Sequence, residues 1–134
     1  MVAARELVDD LPLFAGGHSF GGRMTYLAAA AEDLPEVKGL IFFSFPLHAP
    51  GKPGTERAAD LVNVRVPMLF LSGDRDIFAK SELLEPLLDS LDLATLHWLF
   101  TGDHGWKILK RTRTEGDDIY TEASKVAADW IQKL

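Results

Sequence analysis

The chain has 134 residues, 47% of them hydrophobic, and its 14 basic and 20 acidic side chains give it a net charge of −6. This length fits one domain over residues 1–134, and this share of hydrophobic residues is enough for a buried core, which excludes a disordered chain. The acidic balance excludes a surface that grips nucleic acid, and the absence of cysteine excludes disulfide scaffolds and thiolate sites.

The N-terminal residues predict neither a signal peptide nor a membrane anchor. Charged side chains interrupt residues 1–10, whereas a signal peptide needs an uninterrupted apolar region. The longest apolar run, residues 40–47, is broken by Ser44 and Pro46 and is far shorter than the roughly 20 residues that cross a bilayer. We therefore predict a cytoplasmic protein whose partners include neither a membrane nor a nucleic acid.

The first half of the chain alternates apolar runs with a helix-forming stretch. An apolar segment over residues 11–15 is stopped by two glycines, and an alanine-rich stretch covers residues 23–32, which predicts a strand, a sharp turn and a helix. A second apolar run over residues 37–45 predicts a buried strand that ends at a proline. Prolines and glycines then predict a surface loop over residues 46–56, which could form one wall of a site.

The second half repeats this rhythm. A third strand is predicted over residues 66–72, and a helix capped by Ser81 follows it to about residue 91. A fourth strand over residues 95–100 leads to a last helix over about residues 117–132. Alternating strands and helices predict an α/β fold, in which a mainly parallel sheet is covered on both faces as a three-layer α/β/α structure.

The first predicted strand ends in the sequence Gly17-His18-Ser19-Phe20-Gly21, a G-x-S-x-G pattern. Between a strand and a helix, this pattern is typical of a nucleophile elbow, a strained turn that exposes the serine hydroxyl. Side chains at Gly17 and Gly21 are expected to clash with the tightly packed backbone of such a turn. The helix that follows predicts Phe20 as an oxyanion-hole residue, because its backbone N–H can donate to a developing negative charge.

An acid and a histidine follow the third and fourth predicted strands. Because ligands gather at the carboxyl ends of parallel strands, we expect both side chains to lie near Ser19. A serine hydroxyl needs a base to take its proton, and the imidazole of that base needs an acceptor to hold its tautomer. The sequence therefore predicts a catalytic triad of Ser19, Asp76 and His104.

Two neighbouring acids allow other assignments. Asp74 follows the same strand as Asp76 and remains an alternative for the acid, although Asp76 lies further beyond the strand and can reach back towards His104. Asp103 stands directly beside His104, and we expect it to shape the turn.

The other residues near these motifs are less specific. His18 is predicted to be a packed, hydrogen-bonded neighbour of the serine rather than a second base, and His48 could face the pocket from the proline-rich loop. No two histidines have metal-ligand spacing, and the lysine of a phosphate-binding loop is missing, so neither a metal nor another cofactor is expected. Four aromatic residues near the motifs suggest a pocket with apolar walls, although core packing explains their presence equally well. They are Phe20, Phe45, Phe78 and Trp106.

These motifs resemble the α/β-hydrolase superfamily, and more narrowly its dienelactone-hydrolase-like branch, which is related to KANSL-type chromatin-complex subunits. The order serine, aspartate, histidine along the chain is that of the superfamily. The proline-rich block is the most distinctive of the matching segments, which are residues 15–24, 45–53, 66–76 and 103–104.

The resemblance implies a serine hydrolase of carboxylic esters or thioesters of a small substrate, with Ser19 as nucleophile, Asp76 as acid and His104 as base. Full-length members of the family carry several strands before the elbow, one of which leads to a loop with a second oxyanion donor. We therefore expect a partial hydrolase fold whose first strand lies at a sheet edge, where a second copy of the chain could pair as a homodimer. The alternative class of function is a truncated hydrolase or a non-catalytic interaction module.

Overall fold

The computed structural model describes residues 6–7 and 10–134. The prediction that residues 1–10 are not a signal peptide falls largely outside this part of the chain. Within it, no helix is long and apolar enough to cross a membrane.

A parallel sheet of four strands forms the centre of the protein, with its strands side by side in chain order. The two middle strands are almost completely buried, as expected for strands covered on both faces, whereas the two outer strands are only partly buried. The strands are β1 (Leu13–His18), β2 (Val37–Phe43), β3 (Met68–Gly73) and β4 (Ala94–Leu99).

Helices cover both faces of this sheet, which confirms the predicted three-layer α/β/α fold. The first two α-helices and a 3-10 helix pack over one face, in a core that contains Phe42 and Phe70. The last helix packs over the other face, against Leu69 and Leu71. The helices are α1 (Phe20–Ala31), η1 (Glu56–Asn63), α2 (Ser81–Asp89) and α3 (Ile119–Gln132).

The first strand and helix differ from the prediction where they meet. β1 continues through both glycines to His18, and α1 begins directly after Ser19, so a single residue separates the two elements. The predicted break at Gly16 and Gly17 was wrong because the parallel ladder to β2 continues through both of them. Tertiary pairing here outweighs the weak strand propensity of glycine.

The 3-10 helix η1 was missing from the prediction. Its buried residues, Ala58 and Leu61, are too few to show a helical period in the sequence. The hydroxyl of Tyr26 on α1 donates a hydrogen bond to the backbone carbonyl of Arg57, which ties this short element to the first helix. The proline-rich segment before it is irregular, apart from a short bridge between Ala49 and Lys52.

Candidate active site

Ser19 occupies a strained turn between β1 and α1. Its φ of 50° and ψ of −117° lie outside the regions that non-glycine residues favour. The Ser19 amide donates to the carbonyl of Phe43, and the Ser19 carbonyl accepts from the amide of Arg23, so both sides of the turn are anchored. Strain of this kind persists only where the surrounding structure imposes it, and it is concentrated at functional sites.

The turn is tight because two glycines touch each other across it. A Cβ atom on Gly17 would lie 2.7 Å from the backbone of Gly21, and one on Gly22 would lie 2.8 Å from the carbonyl oxygen of Gly17. A Cβ atom on Gly21 would point into open space. The expected clash at Gly17 is confirmed, but the one at Gly21 is wrong, because the Cβ position of Gly22, and not that of Gly21, points at the backbone of Gly17.

The hydroxyl of Ser19 begins a chain of hydrogen bonds to a histidine and an acid. Ser19 Oγ lies 2.8 Å from Nε2 of His104, and Nδ1 of the same ring lies 2.8 Å from Oδ2 of Asp76. The carboxylate of Asp76 is fully buried, and its other oxygen accepts from the amide of Phe78 at 2.7 Å. Because a carboxylate only accepts, this geometry assigns the proton of the neutral imidazole to Nδ1 and leaves Nε2 free to accept from the serine.

The ring of Phe78 stacks on the ring of His104, with their centroids 4.2 Å apart and their planes inclined by 28°. This stacking limits rotation of the imidazole out of line with Ser19. In the sequence, Phe78 was one of several aromatic residues near the motifs, and nothing separated it from core residues such as Phe45, which is buried against Phe42 and Phe70.

The two neighbouring acids bind backbone amides rather than the imidazole. Oδ1 of Asp74 accepts from the amide of Thr101 at 2.9 Å. Oδ1 of Asp103 accepts from the amides of Gly105 and Lys107, at 3.0 and 2.8 Å, and so closes the turn that carries His104. Asp103 therefore shapes this turn as expected, and the described hydrogen bonds connect His104 to Asp76 and not to Asp74.

The two other histidines named from the sequence occupy different environments. His18 is exposed, its ring centroid lies 5.7 Å from that of His104, and its Nε2 lies 3.4 Å from the His104 carbonyl oxygen. His48 is buried, with Nδ1 bonded to the carbonyl of Ala49 and Nε2 accepting from the amide of Lys80. Nε2 of His48 thus joins the proline-rich loop to the residue before α2, while Nδ1 bonds within the loop.

A carboxylate on α3 joins β4 to the segment that follows His104. Glu122 bonds to Nε2 of His97 on β4 at 2.7 Å and to Nη1 of Arg113 at 3.0 Å. Partial burial raises the pKa of Glu122, but these hydrogen bonds and the positive charge of Arg113 outweigh it, so the pKa lies below its usual value. In the described residues, no group of three or more side chains could hold a metal ion.

Comparison with known proteins decides the family. Residues 1–132 match the profile of a family described as an alpha/beta hydrolase domain. The chain belongs to this alpha/beta hydrolase family. The match covers nearly the whole chain, which confirms the superfamily suggested by the motifs. It does not separate branches within the superfamily, so the dienelactone-hydrolase-like resemblance remains a prediction.

Solved structures of alpha/beta hydrolases resemble the chain in fold. An esterase domain from Rhodothermus marinus aligns with 98% of this chain at a TM-score of 0.64 and 19% identity. A protein from Thermoplasma acidophilum described as a predicted CIB-like hydrolase aligns with 98% at 0.67 and 17%. An alpha-beta serine hydrolase homologue from Coxiella burnetii aligns with 99% at 0.64 and 15%. The chain spans 65%, 56% and 54% of these three structures, respectively.

The Phe20 amide, for which an oxyanion-hole role is predicted, follows Ser19 directly. Phe20 is the first residue of α1, so its N–H has no carbonyl four residues earlier within the helix to bond. The helix dipole adds a partial positive charge at the same point, directly beside Ser19. The Phe20 side chain is exposed to solvent.

Proposed function

We propose that the protein is a serine hydrolase that cleaves carboxylic esters or thioesters of a small substrate. The observation that supports this function is the pair of 2.8 Å hydrogen bonds from Ser19 through His104 to Asp76. Such a chain turns an unreactive hydroxyl into a nucleophile, because it supplies both a base and a group that orients the base. Some of the structures with this fold are described as an esterase domain and a serine hydrolase homologue, which agrees with the proposal.

In the first half of the proposed reaction, Ser19 Oγ attacks the substrate carbonyl carbon while its proton moves to Nε2 of His104. The carbonyl oxygen becomes an oxyanion, which the Phe20 N–H and the N-terminus of α1 stabilise. The bond to the leaving group then breaks, and the imidazolium gives its proton to the departing alkoxide or thiolate. This half-reaction releases an alcohol or thiol and leaves an acyl group on Ser19.

In the second half, a water molecule attacks the acyl carbon and His104 takes a proton from that water. The Ser19 oxygen leaves the second tetrahedral intermediate and recovers a proton from His104, which releases the carboxylic acid. Asp76 stays ionised throughout, holds the imidazole in the required tautomer and stabilises its charged form. The buried carboxylate of Asp76 suits this role, because a charge screened little by solvent interacts strongly with the imidazolium.

The proposal is tested by hydrolysis of p-nitrophenyl acetate and of an acetyl thioester by the full chain. Wild-type protein is expected to turn over at least one of them, and Ser19→Ala to lower the rate by about 10⁴-fold or more. Circular dichroism of both proteins checks that the fold is unchanged. Equal rates for the two proteins would contradict the assignment of Ser19.

A second candidate function is a non-catalytic interaction module. It is favoured by a groove beside β1, the strand at one edge of the sheet. A groove of about 490 Å³ lies beside this strand, lined by residues of β1 and α1 that include Phe14, Ala15 and Met24. We propose a second copy of the chain as the occupant, paired through the outer edge of β1 as a homodimer. Sedimentation of wild type against Met24→Glu, which places a charge in this groove, tests the pairing: a concentration-dependent dimer that the charge weakens supports it, and a monomer at all concentrations contradicts it.

A further inference from the structure

The two residues before Asp76 contact the turn that leads to His104. Oδ1 of Asp74 accepts from the amide of Thr101 at 2.9 Å, and Nη1 of Arg75 donates to the Thr101 carbonyl at 3.0 Å. The backbone amide of Arg75 also donates to the carbonyl of Gly102, at 3.0 Å. The loop that carries the acid therefore bonds to three backbone groups of the loop that carries the histidine: the amide and carbonyl of Thr101 and the carbonyl of Gly102. These bonds are in addition to the one between Asp76 and His104.

Thr101 has a backbone conformation that threonine rarely adopts. Its φ of +62° lies in the left-handed region, where a β-branched side chain is strained. Thr101 is only 4% exposed, and its hydroxyl forms a further hydrogen bond with the hydroxyl of Thr112, at 2.8 Å. Its amide, carbonyl and hydroxyl are thus all bonded. Strain of this kind persists only where neighbouring groups impose it.

The backbones of the two loops also approach each other closely beside this turn. A Cβ atom on Gly73 would overlap the carbonyl oxygen of Gly102, so the two loops meet at a point with no room for a side chain. His104 comes two residues after Gly102, and its ring must place Nε2 within hydrogen-bond distance of Ser19. Any change in the backbone angles of Thr101 would therefore move the imidazole relative to the serine.

We propose that Asp74 and Arg75 are positioning residues, which hold Thr101 in its left-handed conformation and thereby aim His104 at Ser19. This inference rests on the proposed hydrolase function and extends it beyond the three triad residues. Neither side chain touches the imidazole in the described contacts, so their effect on catalysis is exerted through the backbone. A displacement of about 1 Å between a catalytic group and its target can lower a rate by about 100-fold.

The test measures labelling of Ser19 by a fluorophosphonate as a function of probe concentration, which separates the maximal labelling rate from the half-saturating concentration. Asp74→Ala is expected to lower the maximal rate by about 10- to 100-fold with an unchanged half-saturating concentration. Asp74→Asn keeps an acceptor oxygen at the same place and is expected to restore the rate to within a few-fold of wild type. A structural defect alone would lower the fraction of labelled protein rather than its maximal rate.

A second pair of variants covers the case in which Asp74→Ala does not fold. Arg75 and Lys80 are both exposed cations between β3 and α2, and the Arg75 guanidinium binds the Thr101 carbonyl. Arg75→Met is expected to lower the maximal rate about threefold to tenfold, and Lys80→Met to leave it unchanged. Labelling of folded Asp74→Ala or of Arg75→Met at the wild-type rate would overturn the inference. Wild-type protein that does not label at all would overturn the hydrolase proposal with it.

Discussion

Gly17 and Gly22 approach each other so closely that a Cβ atom on Gly22 would lie 2.8 Å from the carbonyl oxygen of Gly17. This contact holds the end of β1 against the first turn of α1, on either side of Ser19. The corresponding position on Gly21, one residue earlier in the same helix, points into open space. The two neighbouring glycines thus form a natural pair for a substitution experiment.

Gly22→Ala is expected to lower the free energy of unfolding by about 1–3 kcal/mol, because the new methyl group meets backbone that cannot move aside. Gly21→Ala is expected to leave this free energy unchanged or to raise it by up to about 1 kcal/mol, since alanine favours the helix. Urea unfolding of both variants measures the difference. A larger loss in Gly21→Ala than in Gly22→Ala would contradict the steric account of the turn.

His48 provides a test of whether the proline-rich loop takes part in the site. Its buried ring bonds to Ala49 and Lys80, so His48→Ala is expected to lower the free energy of unfolding by about 2–3 kcal/mol. Below the unfolding transition, the rate of Ser19 labelling is expected to match that of wild type. A stable variant with a slowed labelling rate would instead place His48 in the pocket, as the sequence analysis had allowed.

Glu122 makes stability depend on pH. Its pKa lies below the usual value of 4.5 because the hydrogen bonds from His97 and Arg113 outweigh the opposing effect of burial. A lowered pKa in the folded state means that the ionised group stabilises the fold above pH 4.5, and that this contribution is lost as the pH falls through the folded pKa. Glu122→Gln is therefore expected to be about 1 kcal/mol less stable than wild type near pH 7, a modest figure because solvent still screens this partly exposed group.

The measurement is urea unfolding of wild type and Glu122→Gln at a series of pH values from 7 downwards. The difference between the two proteins is expected to shrink below pH 4.5. Asp129→Asn removes an exposed acidic charge from the same helix and reports the general effect of such a change. A difference between wild type and Glu122→Gln that stays constant down to acidic pH would contradict the role given to Glu122.

Substitutions of Asp76 and of Asp74 distinguish the two possible assignments of the catalytic acid. Asp76→Asn presents an amide to the imidazole and favours the wrong tautomer, so the rate of ester hydrolysis is expected to fall by about 10³- to 10⁴-fold. Asp74→Asn keeps the acceptor for the Thr101 amide and is expected to change the rate only a few-fold. A larger effect of Asp74→Asn than of Asp76→Asn, measured on folded protein, would reverse the assignment.

Local sequence patterns were sufficient for most of the fold. Apolar runs such as residues 37–45 and 66–72 predicted buried parallel strands, because strands covered on both faces need no polar alternation. The last helix was predicted to within two residues, and Asp118 caps its start by accepting from the Thr121 amide. The end of β1 was not predictable from its glycines, because the strand continues through them only as a result of its pairing with β2 in the folded protein.

The site shows the same division between local and tertiary information. The motif around Ser19 and the chain order of acid and histidine singled out three residues that the structure brings within hydrogen-bond distance, while their catalytic roles remain a prediction. Nothing in the local sequence indicated that Gly22, rather than Gly21, packs against Gly17. The local sequence also did not indicate the strained backbone of Thr101. Both depend on backbone contacts between segments that are distant in sequence or on opposite sides of a turn.

The most direct test of the central claim is the mass of the intact protein after exposure to a fluorophosphonate. If His104 and Asp76 activate Ser19, wild-type protein gains the mass of one adduct and Ser19→Ala gains none. Circular dichroism of both samples shows that the comparison is between folded proteins. A folded wild-type protein without an adduct, or an equal adduct on Ser19→Ala, would contradict the account of Ser19 as an activated nucleophile.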